Sequence, residues 1–411
     1  MEATESSSLL NNKKYKNYKV IILSFFLAAI LWTFLVLHLI DSSNLSYNLS
    51  NYKLSSTYNH SKEGRIILVG DIHGMFKPFD HLLQELEFDE EFDTLISLGD
   101  IVNKGPESTP VIQKLSDINA LAVRGNHDQK VIEWKAWFDQ VESVKGGKEW
   151  LELGAPKNLK PKRALSLPKS WEWQGPHFQI AKELNDTTKE YLFNTPVLLH
   201  IPQHDLYAVH AGMLSHDPTK PKSAINPNHV NGDIDLWSIP QNTPDNMIEM
   251  RSIDPMGKPI KKPKGGVKWY EYWNKDMETC HGDKCIPHRI IYGHAAARGL
   301  DLNEYTYGLD TGCCQGRRLT AMVIHPESTI EAAHHHHHKK GGKGKGKKGD
   351  KKHKGDGNKG GDDDKKHKGD GNDEGNDKDG GKKKNSPKLK FERDVPISSA
   401  TTGQIFSVGC I

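Results

Sequence analysis

The 411-residue chain is short of cysteine, with five in all. No two form a CxxC pair and none stands at the Cys/His spacing of a zinc finger, which excludes a structural zinc site of the usual kind. The chain also lacks a large net charge. A value of +3 at pH 7 excludes a chain-wide preference for polyanions and moves attention to where the charges sit. Residues 331–390 lack apolar side chains almost entirely: five consecutive His are followed by Lys, Gly, Asp and His. Such a composition cannot offset its own chain entropy, so disorder is expected there. A metal- or polyanion-attracting role and a purely solubilising one both fit it. Residues 391–411 carry no readable pattern and stay unassigned, and Cys410, next to last, excludes a prenylation signal.

Charge is absent once more, and usefully, from Val20 to Ile40. At about 1.5 Å per residue this run crosses a hydrocarbon core of about 30 Å. A signal peptide has an apolar region of about 7–15 residues and a small-residue cleavage site, and Leu39-Ile40-Asp41 is a poor one. Lys13, Lys14, Lys16 and Lys19 on the N-terminal side favour a cytosolic N-terminus. The expected topology is therefore a cytosolic 1–19, a signal anchor through the lipid bilayer at 20–40, and a lumenal remainder. Residues 41–63 are Ser/Asn/Tyr-rich and read as a stalk. They hold the glycosylation sequons of Asn44, Asn48 and Asn59, and Asn185 begins a fourth.

The folded domain is expected over 64–330 and belongs to the α/β class. Arg65 to Val69 is an apolar run stopped by Gly70, which reads as a buried parallel strand. Phe76, Phe79, Leu82, Leu83 and Leu86 recur at helical spacing, and Thr94 to Leu98 forms the next apolar run. Strand, helix and strand in so short a stretch make a βαβ unit. Further runs end at Val123, Val209 and Gly293. Between Val131 and Asn194 the pattern turns helical and Trp-rich, with a basic strip at Lys157, Lys160, Lys162 and Arg163; a cap over a site and a helical layer with a solvated basic face both fit. Thr306 to Leu309 and Leu319 to Ile324 read as a hairpin around Cys313 and Cys314.

Five of these strands end in Asp, Asn or His: Asp71 and His73, Asp100, Asn126 and His127, His210, and His294. Ligand sites in open α/β sheets lie beyond the carboxyl ends of strands. One such His is commonly structural, but five strand ends in succession are not explained that way. Two carboxylates, an amide and several imidazoles suit a pair of divalent metals about 3.5–4 Å apart, the arrangement that clamps the attacking and leaving oxygens of phosphoryl transfer.

The ordered set GDIHG, GDIVNKGP, GNHD, HAG and YGHAAARGLDL resembles the phosphoprotein-phosphatase branch of the calcineurin-like metallophosphoesterases. Within it, the group around symmetrical diadenosine tetraphosphatases is the most similar, and the anchor makes the whole resemble fungal vacuolar zinc-dependent endopolyphosphatases. The resemblance implies a β-sandwich core with flanking helices and a helical cap insertion. It implies two divalent ions (Zn, Mn, Co or Fe), with Asp71 and His73 on the first, Asp100 bridging, and Asn126, His210 and His294 on the second. His127 would be the general acid, a metal-bridging hydroxide the nucleophile, and Lys104 and Arg251 the phosphate-holding cations.

Two positions depart from the protein-phosphatase pattern: Asn103 and Lys104 stand where Asp and Arg are usual, which leaves His127 without its carboxylate partner. In an oxidising lumen Cys280 and Cys285 are expected to pair. The implied substrate is inorganic polyphosphate, cut internally at the vacuolar membrane. Dinucleoside polyphosphates are the alternative, then phosphoproteins; the non-enzymatic alternative is a metal- and polyanion-binding membrane protein. No specific nucleic-acid recognition is expected.

Overall fold

The computed structural model describes residues 24, 26–33, 52–59, 64–153, 171–220, 229–230, 233–280, 286–326, 388–398 and 401–410. Twelve strands build two six-stranded sheets: β1 (Lys53–Thr57), β2 (Ile66–Val69), β3 (Thr94–Ser97), β4 (Leu121–Ala122), β5 (Pro196–Ile201), β6 (Leu206–Val209), β7 (Arg289–Tyr292), β8 (Asp301–Leu302), β9 (Thr306–Gly308), β10 (Arg318–Ile324), β11 (Lys390–Pro396) and β12 (Thr402–Gly409). One sheet runs β1-β5-β6-β7-β9-β8 and the other β11-β12-β10-β2-β3-β4.

The sheets stack face to face as a sandwich. Ile66, Leu68, Ile96 and Leu98 of one sheet bury against Leu199, Leu206, Ala208 and Ile291 of the other. Side chains alternate along a strand, so Ile67, Val69 and Leu95 face the opposite way. There they meet helices α1 (Phe76–Glu85), α2 (Ser108–Asp117) and α3 (Asn126–Glu142). Burial on both faces is why β2 reads as an unbroken apolar run. The expected βαβ unit is present, with β2 parallel to β3 and β3 parallel to β4.

The insertion forms α4 (Gly147–Glu152), α5 (Pro176–Glu183) and α6 (Asp186–Phe193). Trp134, Trp137 and Phe138 of α3 pack with Trp150, Trp173 and Phe178 in edge-to-face and tilted contacts. Aromatic surface of that size is worth burying on itself. The described part of the insertion is therefore a packed aromatic layer, and its α5 brings His177 to within 2.9 Å of His127. The basic strip at Lys157, Lys160, Lys162 and Arg163 lies outside the described residues.

Three expectations need correction. Thr306–Gly308 and Arg318–Ile324 form no hairpin: β9 pairs with β7 and β8, whereas β10 pairs with β2 and β12 in the other sheet. The connection between them crosses the sandwich. Part of the expected stalk is sheet, since Lys53–Thr57 pairs parallel with β5. The unassigned C-terminus supplies β11 and β12, and Cys313 bonds to Cys410 across 97 residues. Cys280 is disulfide-bonded, and its expected partner Cys285 lies outside the described residues.

Residues 26–33 are helical, with Phe26, Leu27, Ile30, Leu31 and Trp32 exposed. No helix among the described residues is long and apolar enough to cross a membrane, and most of the expected 20–40 span lies outside them. So do Asn44, Asn48 and nearly all of the 331–390 tail. Asn59 and Asn185 are exposed, and the Asn185 side chain caps α6 by accepting the Thr188 N–H at 2.9 Å.

Candidate metal centre

The carboxyl ends of β2, β3 and β4 in one sheet meet those of β6, β7 and β9 in the other, and the strand-end side chains converge. Asp71, His73 and Asp100 form one group of possible metal ligands; Asp100, His210 and His294 form a second. The ligand atoms within each group lie within 4.8 Å of one another, and Asp100 belongs to both. Its Oδ2 lies 3.4 Å from His73 Nε2 and its Oδ1 3.3 Å from His210 Nε2. Asn126 joins the second group, its Oδ1 being 3.3 Å from His210 Nε2 and 3.1 Å from His294 Nδ1.

Backbone geometry aims these groups. His73, Asp100, Asn103, Lys104 and His294 account for five of the nine non-glycine residues with positive φ among those described. Strain of this kind persists where the surroundings over-determine it. Here cross-loop hydrogen bonds do so, from His73 N–H to Asp100 O and from Gly74 N–H to Ile101 O, both at 2.8 Å. Two glycines permit the closeness. A Cβ on Gly125 would stand 2.1 Å from Asp100 N, and one on Gly293 would stand 2.1 Å from Asp71 Oδ1.

The ring orientations suit metal binding. His73 Nδ1 faces Val102 O at 3.1 Å and His210 Nδ1 faces Leu98 O at 2.8 Å. A backbone carbonyl at Nδ1 fixes that nitrogen as the N–H and leaves the Nε2 lone pair for a cation. Asp71, Asp100 and Asp310 are all buried. Burial, then Asp310 and Asp100, push the Asp71 carboxyl well above its usual range. Burial also raises Asp100, but His210 and His73 outweigh it and hold that group well below the usual range. Burial lowers His73 and His294, whereas Asp100 keeps His210 raised against its burial. A buried cluster so rich in carboxylates is costly without cations. The donor set therefore fits two hard-to-borderline divalent ions.

His127 stands at the first turn of α3, its ring edge-on to His73 with centroids 5.1 Å apart. Its Nδ1 lies 2.8 Å from Asn103 Nδ2 and 2.9 Å from His177 Nε2. The amide and the second imidazole occupy the place where a carboxylate was sought. Burial lowers His127 to about 3 and His177 to about 4. Asp128 points away: it accepts backbone N–H groups from Ile101, Val102 and Gly125. Lys104 Nζ lies 2.6 Å from His73 Nε2. Burial pulls the Arg251 guanidinium below its usual value and Arg298 adds to this, while Asp310, Asp71 and Asp100 oppose it.

Two residues of the site escaped sequence reasoning. Asp310 ends β9 as the other acids end their strands, and that position was the available signal. His177 arrives from the insertion on α5, without a motif, and nothing in its neighbourhood of sequence marks it.

The family model for calcineurin-like phosphoesterase matches residues 64–310. The chain is 26% identical over 272 residues to a zinc-dependent endopolyphosphatase of Saccharomyces cerevisiae, covering 63% of this chain and 75% of that protein. It is 26% identical over 279 residues to a symmetrical bis(5'-nucleosyl)-tetraphosphatase of Nitrosospira multiformis, covering 65% of this chain and 94% of that one. Serine/threonine-protein phosphatase 1 of Salmonella typhimurium matches at 36% over 83 residues, covering 20% of this chain and 38% of that protein.

Proposed function

The chain belongs to the calcineurin-like phosphoesterase family and is a metal-dependent hydrolase of phosphoric esters or anhydrides; from that premise we propose that it is a membrane-anchored endopolyphosphatase. The observation that carries its chemistry is the shared carboxylate of Asp100 between two groups of possible ligands, and the likeness to a zinc-dependent endopolyphosphatase supports the substrate. Asp71 and His73 would hold one divalent ion and Asn126, His210 and His294 the other. Such ions supply Lewis-acid charge and lower the pKa of bound water.

The remaining work falls to residues around them. His127, with Nδ1 committed to Asn103 and His177, keeps Nε2 for the leaving oxygen. Lys104 and Arg251 would neutralise and orient the flanking phosphates, which is most of what phosphoryl transfer asks of a protein. The uncharged amide of Asn103 favours an anhydride substrate. A phosphate leaves as a weakly basic oxyanion and needs less help from an acid than a serine alkoxide does.

The apolar run 20–40, the lysines before it and the sequons after it support a single-pass anchor with the catalytic domain on the lumenal side of the vacuolar membrane. The second reading, a dinucleoside polyphosphate hydrolase, draws on the tetraphosphatase relative. Incubation with long-chain polyphosphate, diadenosine tetraphosphate and a phosphopeptide, adding zinc, manganese or cobalt in turn, separates them. Internal shortening of polyphosphate is expected. Fast dinucleotide cleavage with intact polyphosphate would overturn the proposal. A glycosidase-sensitive size shift tests the topology, and an unmodified chain with its C-terminus in the cytosol would remove it.

A further inference from the structure

Arg251 opens a segment unlike the rest of the domain. Between Asp254 and Glu271 the sequence holds five lysines, Lys258, Lys261, Lys262, Lys264 and Lys268, and no acid. The segment folds on itself as a small three-stranded sheet, with Ser252–Ile253 between Pro259–Ile260 and Val267–Lys268. Lys258, Lys261, Lys262 and Lys264 are exposed.

The ribbon is fastened to the lip of the metal centre. His294 Nε2 donates to Glu249 O at 3.2 Å, the Glu249 side chain pairs with Lys261, and Arg251 N–H donates to Ile260 O at 2.9 Å. Lys268 Nζ reaches Ser252 Oγ at 3.3 Å. Lys258, Lys262 and Lys264 have no ion-pair partner among the described residues. Positive charge thus continues outward from Arg251 along one ribbon, in a chain whose overall charge is nearly balanced.

We propose that this lysine ribbon is a secondary binding track for a linear phosphate polymer, holding the part of the chain that extends beyond the bond being cut. The proposal rests on the phosphoanhydride reading of the site. A short substrate fits within reach of Lys104 and Arg251 and never meets the ribbon. A long one lies along it and gains affinity from each phosphate neutralised, a gain that salt erodes.

The test compares full-length wild type with the triple variant Lys258→Gln, Lys262→Gln, Lys264→Gln, all residues outside the metal centre. For long-chain polyphosphate, KM should rise about tenfold with kcat unchanged. The slope of log KM against log salt should fall in magnitude by about 2 for three cations removed. Tripolyphosphate kinetics should stay as in wild type. An unchanged long-chain KM, or equal changes for both lengths, would overturn the track. Failure of wild type to shorten polyphosphate would instead count against the substrate reading. The track is then read by long-chain polyphosphate binding to Asp100→Asn protein, where the three Lys→Gln changes must weaken salt-sensitive binding; unaltered binding refutes it.

Discussion

The Cys313–Cys410 disulfide closes a span of 97 residues and should be the largest single covalent contribution to stability in this fold. In the chain-entropy account, a cross-link removes about 2.1 + 1.5R ln n cal/mol/K from the unfolded ensemble. For this span that comes to about 16 cal/mol/K, or about 4.7 kcal/mol at 25 °C. Replacement of Cys410 by Ala should forfeit nearly all of it, because the unfolded chain is then no longer cross-linked, while β12 keeps its pairing with β10 and β11 and the core burial of Ile405 and Val408. In a domain of this size each kcal/mol moves Tm by about 2–4 °C, which predicts a fall of about 10–18 °C. Calorimetry of the metal-loaded, unreduced protein against Cys410→Ala reads this directly. A drop under about 3 °C would refute the reasoning. It would mean that the unfolded chain is held together by something other than this bond.

Further outcomes follow from the site and its surroundings. Gly293→Ala places a methyl 2.1 Å from Asp71 Oδ1 and should reduce kcat/KM at least about 10²-fold while circular dichroism changes little. His177→Ala should lower kcat about 10- to 100-fold with KM nearly constant, and His177→Gln should recover part of the loss; a pure KM effect would contradict a role in orienting His127. Asp93, bound by the Arg65 side chain at 3.0 Å, sets an acid limb. Burial raises this carboxyl, but hydrogen bonds from Arg65 and from the Asp89 and Arg65 amides outweigh it and leave the group below its usual value. Its folded pKa lies below the unfolded value of about 3.9, so its stabilisation is present above that pH and is lost as pH falls through the folded value. Urea unfolding of Asp93→Asn should therefore show its full deficit at pH 7 and a shrinking one as pH falls below about 3.9, and a deficit independent of pH would refute the assignment.

What could be read from sequence was whatever is local. Asp71, His73, Asp100, Asn126, His210 and His294 each follow an apolar run directly, so strand and candidate ligand are announced together. The departure at Asn103 was equally legible, since it sits within a fixed motif. His177 was not, because its 2.9 Å contact with His127 spans 50 residues and depends on how an aromatic layer packs. Thr306–Gly308 and Arg318–Ile324 misled for a related reason. Two apolar runs around a Gly-rich turn look alike whether they pair with each other or part into facing sheets. β11 and β12 stood behind a low-complexity tail, and Cys410 gave no sign of its partner 97 residues upstream.

The central claim is that Asp100 serves two metal ions at once, and metal content measured beside activity tests it most directly. Wild type, stripped and reloaded with zinc or manganese, should hold two ions per chain. Asp100→Asn should hold fewer and lose at least about 10²-fold in polyphosphate or dinucleotide hydrolysis. A variant that keeps both ions and near-wild-type turnover would contradict the account.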